Sequence, residues 1–263
     1  MPEGVSIGSI PTFPDLAGKV AVVTGGSRGI GAAAARLLAA NGVKVAVNGR
    51  DEAAIDAVVA GIQGEGGEAI GAAADVTDLA AVESMRDRVE GELGPVDVLV
   101  AFAGGGQIRP GPTASITEEE WRSVVDGNLT ATFFAVKSFL PAMIARGGGS
   151  IVTMASTAAR LPSGAPTPYA AAKAGVIMLT RHLASEVGEH GVRVNCVSPS
   201  TVLTERTGRL ISEERRREMA SIHPLGRLGR PEDVGLATLF LASEASSWIT
   251  GVTLDVAGGR VML

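Results

Sequence analysis

From Lys19 onward, short runs rich in Val, Ile, Leu and Ala alternate with longer alanine-rich stretches of helical pattern, the mark of βαβ units in a parallel sheet. The strand runs fall at residues 20–24, 43–48, 68–73, 96–101, 150–155, 192–197 and 252–256. Seven strands suffice for one doubly wound α/β sheet. Four of the runs are almost continuously apolar instead of alternating, as expected when helices cover both faces. Between them the pattern predicts helices over 31–41, 52–63, 79–92, 118–146, 169–189 and 231–243. Several ends are legible: Asn41-Gly42 reads as a C-cap pair, Asp78 as an N-cap, Thr117 with Glu120 as a capping box, and Arg230-Pro231-Glu232 as a proline-started helix.

Outside that rhythm lie two segments. Residues 1–17 hold Pro2, Pro11 and Pro14 but neither a basic start nor an apolar run, so they read as a flexible N-terminal arm, not a signal peptide. Residues 18–263 then form a single domain. Segment 201–224 interrupts the alternation with a charged helical piece, 213–219, flanked by loops; its place after the sixth strand makes it a candidate substrate lid.

Composition narrows the class further. A chain of 263 residues with 46% hydrophobic side chains and mean hydropathy +0.27 is too apolar for a disordered polymer. Its 35 glycines show no three-residue period, which excludes collagen and assigns them to turns and close backbone approaches. The net charge of -5 repels polyanions and argues against a nucleic-acid partner. Cys196 is the only cysteine, so neither an internal disulfide nor a Cys-rich metal site can form, which fits a reducing compartment; no metal is expected. No run of about 18 uncharged apolar residues offers a bilayer span, and no membrane partner is expected. The sequence therefore points to a cytoplasmic protein, in which the formal glycosylation sequon Asn128-Leu129-Thr130 would stay unmodified.

The first strand runs directly into TGGSRGIG at residues 24–31, followed by an alanine-rich helix. Glycines at such a join serve a tight turn, approach of a pyrophosphate to bare backbone, and close contact of helix with sheet, while the helix N-terminus offers N–H groups to the anion. The spacing is Gly-x3-Gly-x-Gly and not Gly-x-Gly-x-x-Gly. Its setting on the first βαβ unit, with a second strand ending about 20 residues later, makes it a dinucleotide turn and the sheet Rossmann-type. That second strand ends in Asn48-Gly49-Arg50, with no carboxylate for a ribose 2'-hydroxyl. Arg50, together with Arg28 of the turn, would instead clamp a 2'-phosphate, which favours NADP(H) over NAD(H). Asp51, next to Arg50, would either neutralise it or cap the following helix. After the third strand, Asp75-Val76 would face the adenine.

Tyr169 is the sole tyrosine, and Lys173 follows four residues later, which stacks the two on one helix face. A phenol of pKa ~10 is a poor base near pH 7, but an adjacent ammonium and a cationic nicotinamide both favour its phenolate. Ser156, at the end of the fifth strand, reaches the same crevice at the C-terminal edge of the sheet. Asn128 sits inside a long helical stretch, an uncomfortable place unless its side chain or backbone has another task.

In order and spacing, TGGSRGIG at 24–31, Asp75, Asn128, Ser156, Tyr169-Ala-Ala-Ala-Lys173 and VRVNCVSP at 192–199 resemble the short-chain dehydrogenase/reductase family, in particular its 3-oxoacyl-acyl-carrier-protein-reductase-like members. Arg230-Pro-Glu-Asp-Val234, Thr250-Gly251 and Gly258-Gly259 extend the resemblance over about residues 17–260. The resemblance implies an oxidoreductase that moves a hydride between nicotinamide and a small carbonyl or secondary alcohol. Tyr169 would be the general acid or base, Ser156 would orient and polarise the substrate oxygen, Lys173 would hold the nicotinamide ribose and lower the tyrosine pKa, and Asn128 would hold a water in a proton relay. The coenzyme set implied is Gly25, Ser27, Arg28, Gly29, Ile30, Gly31, Arg50, Asp75, Val76, Ala103, Gly104, Tyr169, Lys173, Pro199, Val202 and Thr204, with Val202 and Thr204 near the carboxamide. A homotetramer with two-fold axes is implied too, built on helices 118–146 and 169–189 and the last strand.

Two departures stand out: Ala101-Phe102-Ala103-Gly104 replaces Asn-Asn-Ala-Gly, and Pro199-Ser200 replaces Pro-Gly. Neither removes a catalytic side chain. Two other classes compete. Gly25-Gly26-Ser27-Arg28-Gly29 matches the G-x-S-x-G elbow of α/β-hydrolases, but it follows the first strand and leaves the Tyr-Lys-Ser set unexplained. A non-catalytic dinucleotide sensor would be expected to have lost Tyr169 or Lys173. An NAD-dependent alcohol dehydrogenase of the same family is the nearer alternative.

Overall fold

The computed structural model describes residues 10–105, 108–210 and 212–262. Seven parallel strands form one sheet: β1 (Val20–Thr24), β2 (Lys44–Gly49), β3 (Ala69–Ala73), β4 (Val98–Ala101), β5 (Gly149–Met154), β6 (Val192–Pro199) and β7 (Thr253–Val256), in the order β3-β2-β1-β4-β5-β6-β7. The order reverses between β1 and β4, where a crevice opens at the carboxyl ends of the strands. All seven expected strands are present, their bounds shifted by a few residues.

Continuity of the apolar runs follows from two-sided burial. All five residues of β1 are buried, Ala21 and Val23 in one hydrophobic layer and Val20 and Val22 in the other. The first layer packs under α1 (Gly29–Ala39), α2 (Glu52–Gly64) and α9 (Pro231–Ala242), the second under α3 (Leu79–Leu93) and α5 (Ala131–Arg146). In α1 the run Ala32 to Ala35 is wholly buried, because α9 lies against it; a Cβ on Gly235 would stand 2.7 Å from Leu37 Cδ1. The expected caps at Asp78 and Thr117/Glu120 are formed.

The stretch expected as one helix over 118–146 is broken. Helix α4 (Glu118–Val125) passes through a π turn, Asp126–Thr130, into α5. By length and composition this run could cross a membrane, with mean hydropathy 1.3 in its most apolar window, yet Ala135, Val136, Phe139 and Met143 are buried against the sheet. Helix α6 (Thr167–Val187) follows β5. In place of one charged helix, the segment after β6 holds α7 (Glu205–Leu210) and α8 (Glu213–Ser221).

The loose-arm expectation fails for residues 13–16; residues 1–9 lie outside the described ones. Phe13 N–H donates to Asn41 Oδ1 (2.7 Å), Asp15 accepts from Glu244 N–H (2.9 Å), and Leu16 is fully buried in the α1 layer. Asn41 thus does more than end α1: its Nδ2 donates to Leu37 O (3.0 Å) while its oxygen ties down the incoming chain. Leu16→Ala is accordingly expected to destabilise the fold by about 2–5 kcal/mol, as for other fully buried leucines. Chemical denaturation checks this; an unchanged midpoint would show the segment to be dispensable.

Candidate active site

The turn between β1 and α1 is set by backbone geometry. Gly25 (φ +65°) and Gly29 (φ +52°) adopt the left-handed region, and a Cβ on Gly31 would lie 2.2 Å from Gly25 O. Only glycine permits α1 to start so close to β1. Gly26 N–H donates to Asn48 O (2.8 Å), which fixes the turn to the end of β2, and Ala103 N–H donates to Thr24 Oγ1 (3.1 Å), which fixes it to the loop after β4. Ile30 points away from the turn and packs on the α1 layer.

Gly25, Ser27, Arg28, Arg50, Asp75, Val76, Ala103 and Gly104 converge on one cavity of about 390 Å³. A dinucleotide fits this cradle: bare backbone where a Cβ would clash, a helix N-terminus beside it, and cations at its rim. The arginine clamp, however, is not free. Asp51 hydrogen-bonds Arg28, and Asp75 lies 3.8 Å from Arg50. Asp51 also N-caps α2 through Ala54 N–H (3.1 Å), so the residue expected to threaten Arg50 engages Arg28 instead. The Arg28 hydrogen bond first, and then Ala54 N–H, hold the Asp51 carboxyl below the usual range. Asp75 is lowered chiefly by Thr77 N–H and hydroxyl, with Arg50 a lesser cause.

Across the crevice, Tyr169 and Lys173 stand on α6, and Ser156 opens the 3-10 turn Thr157–Ala159 just past β5. Lys173 is 2% exposed, and its Nζ donates to Met154 O (2.7 Å), 5.8 Å from the centre of the Tyr169 ring. Burial pushes the lysine down to about 8. Burial also raises the Tyr169 phenol, which the neighbouring Ser156 hydroxyl pulls back only in part. In the protein alone the Lys173 ammonium serves a carbonyl, and burial of the phenol favours its neutral form. A neutral phenol near pH 7 is a proton donor.

Asn128 explains the π turn. It is fully buried, its Nδ2 donates to Val124 O (2.8 Å) and Gly105 O (3.0 Å), and its Oδ1 accepts from Gly105 N–H (3.0 Å). A Cβ on Gly104 would meet that Oδ1 at 2.5 Å. The side chain braces the loop at Gly104 and Gly105, while the Asn128 carbonyl accepts from Thr132 Oγ1 (2.7 Å). Burial also removes the sequon from modification.

Pro199 ends β6. Val202 buries its side chain in the α1 layer and pairs with Gly229 in an isolated bridge. Thr204 turns toward the phosphate loop: its Cγ2 would be 3.1 Å from a Cβ on Gly29, and it shares hydrogen bonds with Thr207 (Thr204 N–H to Thr207 Oγ1, 2.7 Å). Leu203 N–H donates to Gly229 O (2.8 Å) and Gly229 N–H to Thr201 O (3.0 Å), so the segment after β6 runs on to Gly229 and is closed at its base. Ser200, the departure from Pro-Gly, bonds buried His223 through Nε2 (2.9 Å) while His223 Nδ1 donates to Met219 O (2.7 Å). The other departure places Phe102 in one hydrophobic layer and Ala101 in the other. His223 and Asn48, whose Nδ2 donates to Ala72 O (2.8 Å), were missed because a lone buried polar residue leaves no pattern.

Comparison with known proteins finds relatives over nearly the whole chain. A family model described as enoyl-(acyl carrier protein) reductase matches residues 25–260. The chain is 39% identical over 244 residues to the 3-oxoacyl-(acyl-carrier-protein) reductase FabG of Chlamydia pneumoniae, covering 93% of this chain and 97% of that protein. It is 38% identical to D-threitol dehydrogenase of Mycolicibacterium smegmatis, covering 93% of each. The crystal structure of a 3-oxoacyl-(acyl-carrier protein) reductase from Brucella melitensis superposes with TM-score 0.90 at 33% identity, covering 95% of this chain and 94% of that one.

Lys173 gives the site a pH signature. Between about pH 8 and its ordinary 10.5, the unfolded chain holds a proton on this lysine that the folded chain has shed, so stability rises with pH across that window. Relative to Lys173→Met, the wild type is expected to gain about 2–3 kcal/mol of unfolding free energy from pH 7 to pH 10. A pH-independent difference in denaturation experiments would contradict the buried ammonium.

Proposed function

The chain belongs to the short-chain dehydrogenase/reductase family, whose members are oxidoreductases acting on CH–OH and C=O centres with a nicotinamide coenzyme, and on that footing we propose an NADP(H)-dependent carbonyl reductase or alcohol dehydrogenase with Tyr169 as its acid or base. The observation that carries this is the convergence of Tyr169, Ser156 and Lys173 past the carboxyl end of β5, in a sheet whose β1, β2 and β4 open at the same ends into the glycine-walled cavity. A nicotinamide bound there supplies or accepts the hydride. Ser156 orients the substrate oxygen and stabilises the charge that grows on it. Tyr169 delivers its phenolic proton to that oxygen in reduction and withdraws it in oxidation. Lys173, anchored by Met154 O, holds the nicotinamide ribose and, near its pKa of about 8, can return a proton toward the tyrosine.

Relatives named for a 3-oxoacyl thioester and for a polyol mark two substrate classes for this pocket. Its expected walls are residues 104–112, 158–167 and 201–224, of which Gly106, Gln107 and Ile211 lie outside the described residues; just past the first wall, the Thr113 hydroxyl pairs with that of Thr167 at the end of the second (2.8 Å). We place the enzyme in the cytoplasm as a homotetramer. Trp121, Phe133 and Met178, 43%, 44% and 59% exposed on α4, α5 and α6, are apolar contacts suited to a second copy.

Neutralisation of both arginines by carboxylates favours a second reading, preference for NAD(H). A 2'-phosphate must draw Arg28 from Asp51 and Arg50 from Asp75. The two readings separate in Asp51→Asn, which keeps a good N-cap and removes the competing charge. If the arginines serve a 2'-phosphate, the NADPH/NADH ratio of kcat/KM rises on the order of threefold, the size expected of one exposed ion pair. An unchanged ratio overturns the clamp.

Tyr169→Phe tests the chemistry. With acetoacetyl-CoA as a 3-oxoacyl thioester and D-threitol as an alcohol, turnover by absorbance is expected to fall by far more than tenfold while coenzyme affinity by fluorescence stays near wild type. Retention of more than about a tenth of kcat/KM, a loss under ~1.4 kcal/mol, would remove Tyr169 from its role.

A further inference from the structure

Ser156 opens a short turn, accepting from Ala158 N–H at Oγ (3.2 Å), and Arg160 closes it, its N–H donating to Thr157 O (3.0 Å). From that position the guanidinium crosses to the edge strand. Nη1 lies 3.6 Å from Asp255 Oδ2, and Nη2 donates to Thr253 O (3.5 Å), with the two side chains 14% and 16% exposed. Asp255 is in register with Ser198, and Thr253 with Cys196, whose side chain packs among Ala155, Ala159 and Val176 under α6. Adjacent residues of parallel strands share a face, so Arg160 meets β7 on the side turned toward the reacting groups.

Strand β7 has four residues and one neighbouring strand, β6. A long cation this far out of water is unexpected in a turn that needs only backbone bonds to close. Because Arg160 is four residues from Ser156, whatever fixes its guanidinium fixes the turn. A fixed turn matters in catalysis, since a misplacement of about 1 Å can lower a rate on the order of a hundredfold.

We propose that Arg160 is a positioning residue: its pairing with Asp255 fastens the Ser156 turn to the C-terminal edge strand and holds the serine hydroxyl at its working distance from Tyr169. The proposal rests on the reading of Ser156 as the group that polarises the substrate oxygen.

Four variants decide it, assayed as the full-length enzyme with NADPH and acetoacetyl-CoA, or in the oxidative direction with NADP+ and D-threitol if only that probe is turned over. Arg160→Met is expected to lower kcat about tenfold or more, with coenzyme affinity and carbonyl KM within about twofold of wild type. Arg160→Lys, which keeps the charge, recovers part of that loss. The double variant Arg160→Met/Asp255→Leu removes the stranded carboxylate, so it regains melting temperature while kcat stays low. In a Ser156→Ala background, Arg160→Met adds little, because both changes act through one hydroxyl. Wild-type kcat in Arg160→Met, recovery of kcat together with melting temperature in the double variant, or an additive loss in the Ser156→Ala background would each overturn the proposal. Wild-type kcat in Ser156→Ala alone would instead overturn the role of the serine.

Discussion

How closely α1 can approach β1 governs the rest of this molecule. With Gly31 over the Gly25 carbonyl, where a Cβ would lie at 2.2 Å, the helix begins almost in contact with the strand it leaves. That approach buries Ala32 to Ala35, and their small side chains in turn let α9 settle beside α1 on the same face of the sheet. The same turn is bonded to β2 through Gly26 and to the loop after β4 through Thr24, so one tight junction sets the mouth of the crevice. Widening it by one methyl group would disturb the sheet, the helix pair and the cavity together.

Polar burial does the complementary work on the far side. Lys173, Asn128 and Arg193 lie in or near the interior, and each spends hydrogen bonds on backbone carbonyls: Met154, Val124 and Gly105, and the carbonyls of residues 241–243. A buried donor without such a partner is costly, which ties the backbone to one arrangement. Strand ends and loops, where a chain is ordinarily pliant, are thereby fixed at the points where chemistry needs fixed distances.

The sheet was legible in the sequence because strands buried on both faces write themselves as unbroken apolar runs. The helix bounds were less so. Nothing in the composition of 118–146 marks the π turn, since its cause is a hydrogen-bond pattern between Asn128 and Gly105 more than twenty residues away. Tyr169, Lys173 and Ser156 could be placed on their elements from the sequence, but their charge states could not: Lys173 and Tyr169 respond to desolvation, which depends on packing from every side. Likewise Arg28 and Arg50 read as a pair of free cations, and the carboxylates that meet them come from the start of α2 and the end of β3, contacts that only the folded crevice creates. Leu16 was hidden for a simpler reason, since Phe13 and Leu16 stand among prolines without a helical or strand period.

The closed base of the segment after β6 gives the fold a property of another kind. Thr201 to Leu203 and Gly229 are joined to each other, and the chain leaves and re-enters the body of the protein at adjacent points. A detour anchored in this way is an exchangeable cassette: lengthening it raises the entropy of closure only with the logarithm of its length. Its two ends are built into the body, with Val202 in the α1 layer, Thr204 against Gly29 and His223 on Ser200, so length can change only in the stretch between these anchors. Change in the exposed helix α8 between those anchors alters the surface beside the crevice at little entropic cost.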